Sequence, residues 1–107
     1  MSQAQLETTT QTAGDSVRIS LRGELDLASA DQADETLQAA EAEGTPLVLD
    51  LSGLTFMDST GLRLILRAAR RARENGRSLK LVSGPPRVQR VFRVTGMESR
   101  LPFVALT

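Results

Sequence analysis

Asp58, Ser59, Thr60 and Gly61 stand where an apolar stretch gives way to a helical period, and more chemistry converges there than anywhere else in the sequence. A helix start leaves several backbone N–H groups without partners, and its dipole favours negative charge. A phosphate carried on Ser59 would meet those donors, as anions do at other helix N-termini. Gly61 lacks a Cβ, so another protein could come close to the backbone there. The same four residues also read as an ordinary helix start, with Asp58 or Ser59 as a cap worth about 1 kcal/mol. Spacing alone leaves both readings open.

Asp50 is the second candidate. It closes an apolar run, the position of the phosphate-accepting Asp in response-regulator receivers. A receiver also needs an acidic pair after its first strand and a Lys at the end of a later one. Glu24 and Asp26 are not adjacent, and Lys80 comes early in its segment. Asp50 is therefore read as a hydrogen-bonding or capping carboxylate. A third candidate is the row of Arg63, Arg67, Arg70 and Arg71, either a solvated helix face partly countered by Glu74 or a contact for an acidic partner. Phe56 and Met57 read as core, with an exposed patch as the alternative.

Composition narrows the chemistry. The 107 residues contain no His and no Cys. That removes Ser-His-Asp hydrolysis, thiol catalysis and the usual zinc ligands, so no catalytic residue, metal or cofactor is expected. Thirteen basic residues balance thirteen acidic ones, without the basic excess that displaces counterions from nucleic acid. No apolar run reaches the roughly 18 residues of a membrane span, and the polar N-terminus lacks a leader pattern. A cytoplasmic protein with no direct membrane insertion and no nucleic-acid partner is expected.

The elements that would position these residues follow from periodicity. One domain over 1–107 is expected from the length, with 1–13 an edge strand or flexible tail. Gly14-Asp15 is a two-residue hairpin signal. From Val17, alternate residues Ile19, Leu21, Gly23, Leu25 and Leu27 share one face of a strand that runs on into an extended loop. Ser29 opens a helix, with Ser29 and Gln32 in a capping-box spacing. Ala33, Leu37 and Ala40 form its apolar face, and Gly44 and Pro46 stop it. Leu47–Leu51 reads as a strand covered on both faces, followed by a loop over 52–58.

The second helix begins near Ser59, with Leu62, Ile65, Leu66, Ala69 and Ala72 on its inner stripe, and Gly76 ends it. A strand over 79–83 precedes a helix started by Pro85 and Pro86, with Val88, Val91 and Phe92 inward and Gly96 at its end. A short strand over 103–106 completes the order. Strands alternating with helices imply right-handed crossovers. The expected class is α/β: a mostly parallel central sheet of four to five strands with three or more helices packed on it.

FMDSTGL at 56–62, preceded by LVLDLSGL at 47–54 and by GELDL at 23–27, resembles the STAS family and, within it, the single-domain bacterial anti-sigma factor antagonists. The resemblance runs from Val17 to about Phe103. It implies that Ser59 is the phosphate acceptor and that Asp26 lies near it on the recognition surface. Asp26, Asp58, Ser59, Thr60, Gly61 and Leu62 then form the partner-binding site.

In such proteins the unphosphorylated form binds an anti-sigma factor serine kinase and so frees a sigma factor. Phosphorylation ends the interaction, and a PP2C-type phosphatase restores it. The resemblance also admits a second role, a STAS subunit of a membrane-associated complex, for example in lipid transport, acting by non-phosphorylated contact. The terminal helix that many members carry is expected to be short or missing here.

Overall fold

Turn chemistry at Gly14-Asp15 sets the first strand pair. In the computed structural model, which describes residues 5–104, β1 (Leu6–Ala13) and β2 (Ser16–Leu25) form an antiparallel hairpin with Ala13 opposite Ser16. Gly14 takes a φ of 65°, which a side chain would resist in a tight hairpin turn. Leu6 is sealed in the core, so the N-terminal segment is an edge strand from Leu6 onward. Residues 1–4, and 105–106 of the expected last strand, lie outside the described residues.

The chain continues through α1 (Ala30–Glu41), β3 (Leu47–Met57), α2 (Ser59–Glu74), β4 (Leu79–Val82), α3 (Pro86–Val94) and β5 (Phe103–Val104). The five strands lie in sequence order, and every pair after the first hairpin is parallel. One apolar cluster joins Ile19, Leu49 and Leu81 of the sheet to Leu37, Ile65 and Phe92 of the three helices. The expected mostly parallel α/β sheet with three helices is what forms. Leu64 and Ala68 are also buried on α2, which widens its apolar stripe beyond the five positions read from the sequence.

Three local readings need correction. First, β3 does not end at Leu51 but runs eleven residues to Met57. The segment reads as loop because Ser52, Gly53 and Thr55 are poor strand formers. Pairing with β2 nonetheless continues to Met57, accommodated by two register shifts, between Ser20 and Arg22 and between Gly23 and Glu24. Gly23 sits at a φ of 103°, and a Cβ on it would strike the carbonyl of Gln5, so the bulge there requires glycine.

Second, β3 is not covered alike on both faces. Leu47, Leu49 and Leu51 are in the apolar cluster, whereas Asp50 is buried among polar groups on the other side and Val48 only half-buried. Third, Ser29 and Gln32 do not make a capping box. Ser29 is at the N-cap position without a side-chain cap bond. Its hydroxyl donates to the Glu24 carbonyl at 2.8 Å, and the Gln32 amide donates to the Leu6 carbonyl at 3.0 Å. Both side chains tie α1 to the first hairpin instead.

Candidate functional site

Pairing of β2 with β3 brings the two halves of the site together. Leu25 lies beside Met57, and the Asp58 N–H donates to the Leu25 carbonyl at 3.4 Å. Asp26 after β2, and Asp58 and Ser59 after β3, therefore emerge at the same end of the sheet. Asp26 turns the chain sharply: its Oδ1 accepts from the Ala28 N–H at 3.0 Å, an Asx turn. Leu27 consequently does not continue the inward alternation. It is 80% exposed, and Phe56 on the neighbouring strand is 40% exposed. Met57 is core as expected, while Phe56 is not.

Asp58 is the N-cap of α2. Its Oδ1 accepts from the N–H of Thr60 at 2.9 Å and from that of Gly61 at 3.4 Å, while its carbonyl accepts from Leu62 at 3.2 Å. The donors that a phosphate on Ser59 was expected to meet are thus largely taken. Ser59 itself is exposed, with Thr60 and Asp58 half-buried beside it. Gly61 and Leu62 are buried. A Cβ on Gly61 would come within 2.5 Å of the Met57 side chain and 3.0 Å of Leu25. The glycine is required from below, by core packing, rather than from above by an approaching protein. Of the expected site, Ser59 is exposed, and Asp26, Asp58 and Thr60 are half-buried.

The family model described as "Mlab, STAS domain" matches residues 8–105. The chain belongs to the STAS domain family. The "Anti-sigma-B factor antagonist" of Staphylococcus aureus is 31% identical to this STAS domain over 94 residues, 87% of this chain and 85% of that protein. An anti-sigma factor antagonist from Mycobacterium paratuberculosis shares the fold with a TM-score of 0.86 at 24% identity, over 99% of this chain and 92% of the other. The Bacillus cell fate determinant SpoIIAA in its phosphorylated form superposes with a TM-score of 0.72 at 24% identity, over 94% and 92% of the two chains.

The other sequence candidates find their places on this STAS scaffold. Asp50 accepts from Arg18 through Oδ2 and from the Ser52 N–H through Oδ1, the latter at 2.9 Å. Burial opposes its ionisation, but the bonds from Arg18 and Ser52 outweigh it and hold the carboxyl below its ordinary range. It is a hydrogen-bonding carboxylate, as read. Arg63, Arg67 and Arg70 are exposed on α2, whereas Arg71 reaches Glu41 and Asp34 of α1.

Among the described residues no group of three His, Cys, Asp or Glu side chains could hold a metal ion, and no helix is long and apolar enough to cross a membrane. Leu27 and Phe56 are exposed apolar residues beside the candidate site that the sequence reading places inward. The signal for Leu27 was Asp26-Leu27-Ala28-Ser29 itself, because an Asp that can bond the backbone two residues on interrupts a strand.

Proposed function

We propose that this STAS domain is a cytoplasmic anti-sigma factor antagonist that acts by binding and not by catalysis. In its unphosphorylated form it docks on an anti-sigma factor serine kinase and so releases a sigma factor. The kinase then transfers the γ-phosphoryl group of ATP to Ser59 Oγ, forming the P–O bond as ADP leaves with its bridging oxygen and the hydroxyl proton departs. A PP2C-type phosphatase hydrolyses the ester and returns the hydroxyl.

One observation carries the reading: Ser59 is the exposed residue of a junction whose neighbours are satisfied internally, and two exposed apolar side chains, Leu27 and Phe56, belong to the same end of the sheet. Apolar anchors beside a polar centre suit a protein partner. The curated relative at 31% identity supports the kind of partner, and the existence of a phosphorylated form of a protein of similar fold is in keeping with a phosphate on Ser59.

Asp58 supplies the reason that phosphate would end binding. The phosphate brings a charge near −2 and three acceptor oxygens. The Thr60 and Gly61 N–H groups already serve the Asp58 carboxylate, so the new charge stands beside an existing one with few donors left to cradle it. Docking would have to strip water from both charges together, and a penalty of about 3 kcal/mol for doing so would weaken the interface more than a hundredfold. No refolding is needed.

The test is incubation with ATP and each serine kinase of the same cell, followed by mass spectrometry and a binding assay in ADP. A single phosphate on Ser59 with loss of binding supports the switch, as does a Ser59→Asp variant that binds about a hundredfold more weakly with unchanged circular dichroism. No label on Ser59, or a label on Thr60, with partner binding intact would overturn it. That result would favour the membrane-associated subunit acting by contact alone.

A further inference from the structure

A second site is built at the opposite end of α2. The helix closes with a Schellman motif: the Arg77 N–H donates to the Ala72 carbonyl at 2.8 Å, and the Gly76 N–H to that of Arg73 at 3.3 Å. The residue after the motif's glycine usually makes an apolar contact back to the last helical turn. Here it is Arg77. Its Nη1 is buried and has no hydrogen-bond partner among the described residues. A buried guanidinium nitrogen without an acceptor is costly and demands an explanation.

Arg77, half-buried as a whole, also lines a cavity. About 580 Å³ in volume, it falls in the range of small-molecule sites. Arg73, Arg77, Lys80 and Arg100 line it, with no carboxylate among the lining residues, and Ala72, Leu101 and Phe103 supply apolar wall. None of the four cations has an ion pair among the described residues. The helix dipole accounts for Arg73, which lies in the last turn of α2. It does not account for Lys80 on β4, Arg100 in the loop before β5, or Arg77 beyond the helix end.

We propose that this cavity binds an organic phosphate: a phosphate head held by Arg77 with help from Arg100 and Lys80, and a short apolar body laid against Leu101 and Phe103. A planar guanidinium matches the oxygens of a phosphate in two parallel bonds. Several cations around one pocket suit a dianion better than a carboxylate. The phosphate comes either from a free metabolite or from a lipid headgroup.

Hexyl phosphate is the probe, with hexanol as the uncharged control, read by titration calorimetry and amide chemical shifts. Binding should move the amides of Arg77, Arg100 and Phe103, and hexanol should not reproduce it. Arg77→Leu restores the apolar contact that the Schellman motif favours. It should hold or raise the thermal midpoint while weakening hexyl phosphate about tenfold or more. A structural role for Arg77 would lower the midpoint instead.

Co-sedimentation with phosphatidylcholine vesicles containing phosphatidic acid, lost in Arg77→Leu, would assign the phosphate to a lipid. Hexyl phosphate binding without sedimentation would assign it to a free metabolite. Unmoved amides, equal binding of hexanol, or undiminished binding by Arg77→Leu would overturn the site.

Discussion

The two ends of α2 solve opposite problems. At Ser59 most backbone donors of the junction are already matched: Asp58 holds the Thr60 and Gly61 N–H groups, and Gly61 fits tightly over Met57 and Leu25. Such an end gains a new state only if something is added, and the exposed hydroxyl is where a charge can be added. At Arg77 the backbone is just as well closed, yet a buried guanidinium nitrogen lacks an acceptor. The cations that line the cavity there have no ion pair among the described residues. One helix of 16 residues, about 24 Å long, thus separates the proposed phosphorylation site from the proposed ligand site.

The contrast breaks most readily at Gly61. If the N-terminal end is rigid because its floor is close-packed, Gly61→Val should cost about 3 kcal/mol, since added methyl groups must displace Met57 or Leu25. Urea denaturation measures it. A loss below about 0.5 kcal/mol would mean the floor yields, and the exposed Ser59 would then rest on a mobile base.

Asp58→Ala sharpens the comparison at about a third of that size. Loss of the cap should lower stability by about 1 kcal/mol, read from the denaturation midpoint. The same variant frees the Thr60 and Gly61 N–H groups and removes the adjacent negative charge. Phosphorylated Ser59 should then be tolerated better at the interface, so the ratio of binding by the two forms should shrink. An unchanged ratio would remove Asp58 from the account of the switch.

How far these ends could be read in advance differs for a physical reason. Period-two alternation in Val17–Leu25 and the helical stripe from Leu62 to Ala72 are local patterns repeated several times, and both elements form with those residues inward. The helical period placed Ser59 at a helix start, which it is, and the family strings marked it as the expected phosphate acceptor. Other features depend on groups remote in sequence. Ser52-Gly53-Leu54-Thr55 resembles a turn, and only pairing with β2 makes it strand. Ser29 and Gln32 have capping-box spacing, but acceptors on Glu24 and Leu6 claim their side chains. Arg77 looked like any basic residue after a helix-ending glycine; its missing acceptor is a property of the surrounding volume.

Asp50 separates acid sensitivity from both ends of α2. Its folded pKa lies below the ordinary carboxylate value. The stability it contributes is therefore complete above the unfolded value of about 3.9 and is lost as pH falls through the lower folded value. Because Arg18 is more than a third exposed, the contribution is below about 1 kcal/mol. Asp50→Asn should flatten that acid limb of the stability curve and leave binding at Ser59 unchanged at neutral pH. An acid limb of the same steepness in the variant would move the sensitivity to another carboxylate.

The smallest effect tests whether surface charge on α2 matters to either end. Arg70 and Glu74 pair at i and i+4 with a distance of 3.1 Å, both mostly exposed. Such a pair is worth about 0.3 kcal/mol and fades with salt. Glu74→Gln should lower the midpoint by that little, and the difference should vanish in about 1 M salt, where screening acts within about 3 Å. Arg70 would then join Arg63 and Arg67 as an exposed cation without a partner on α2. If kinase binding strengthens in this variant at low salt only, the Arg face steers an acidic partner toward Ser59. If binding is indifferent at every salt concentration, that face is solvated surface and recognition rests on the end of the helix alone.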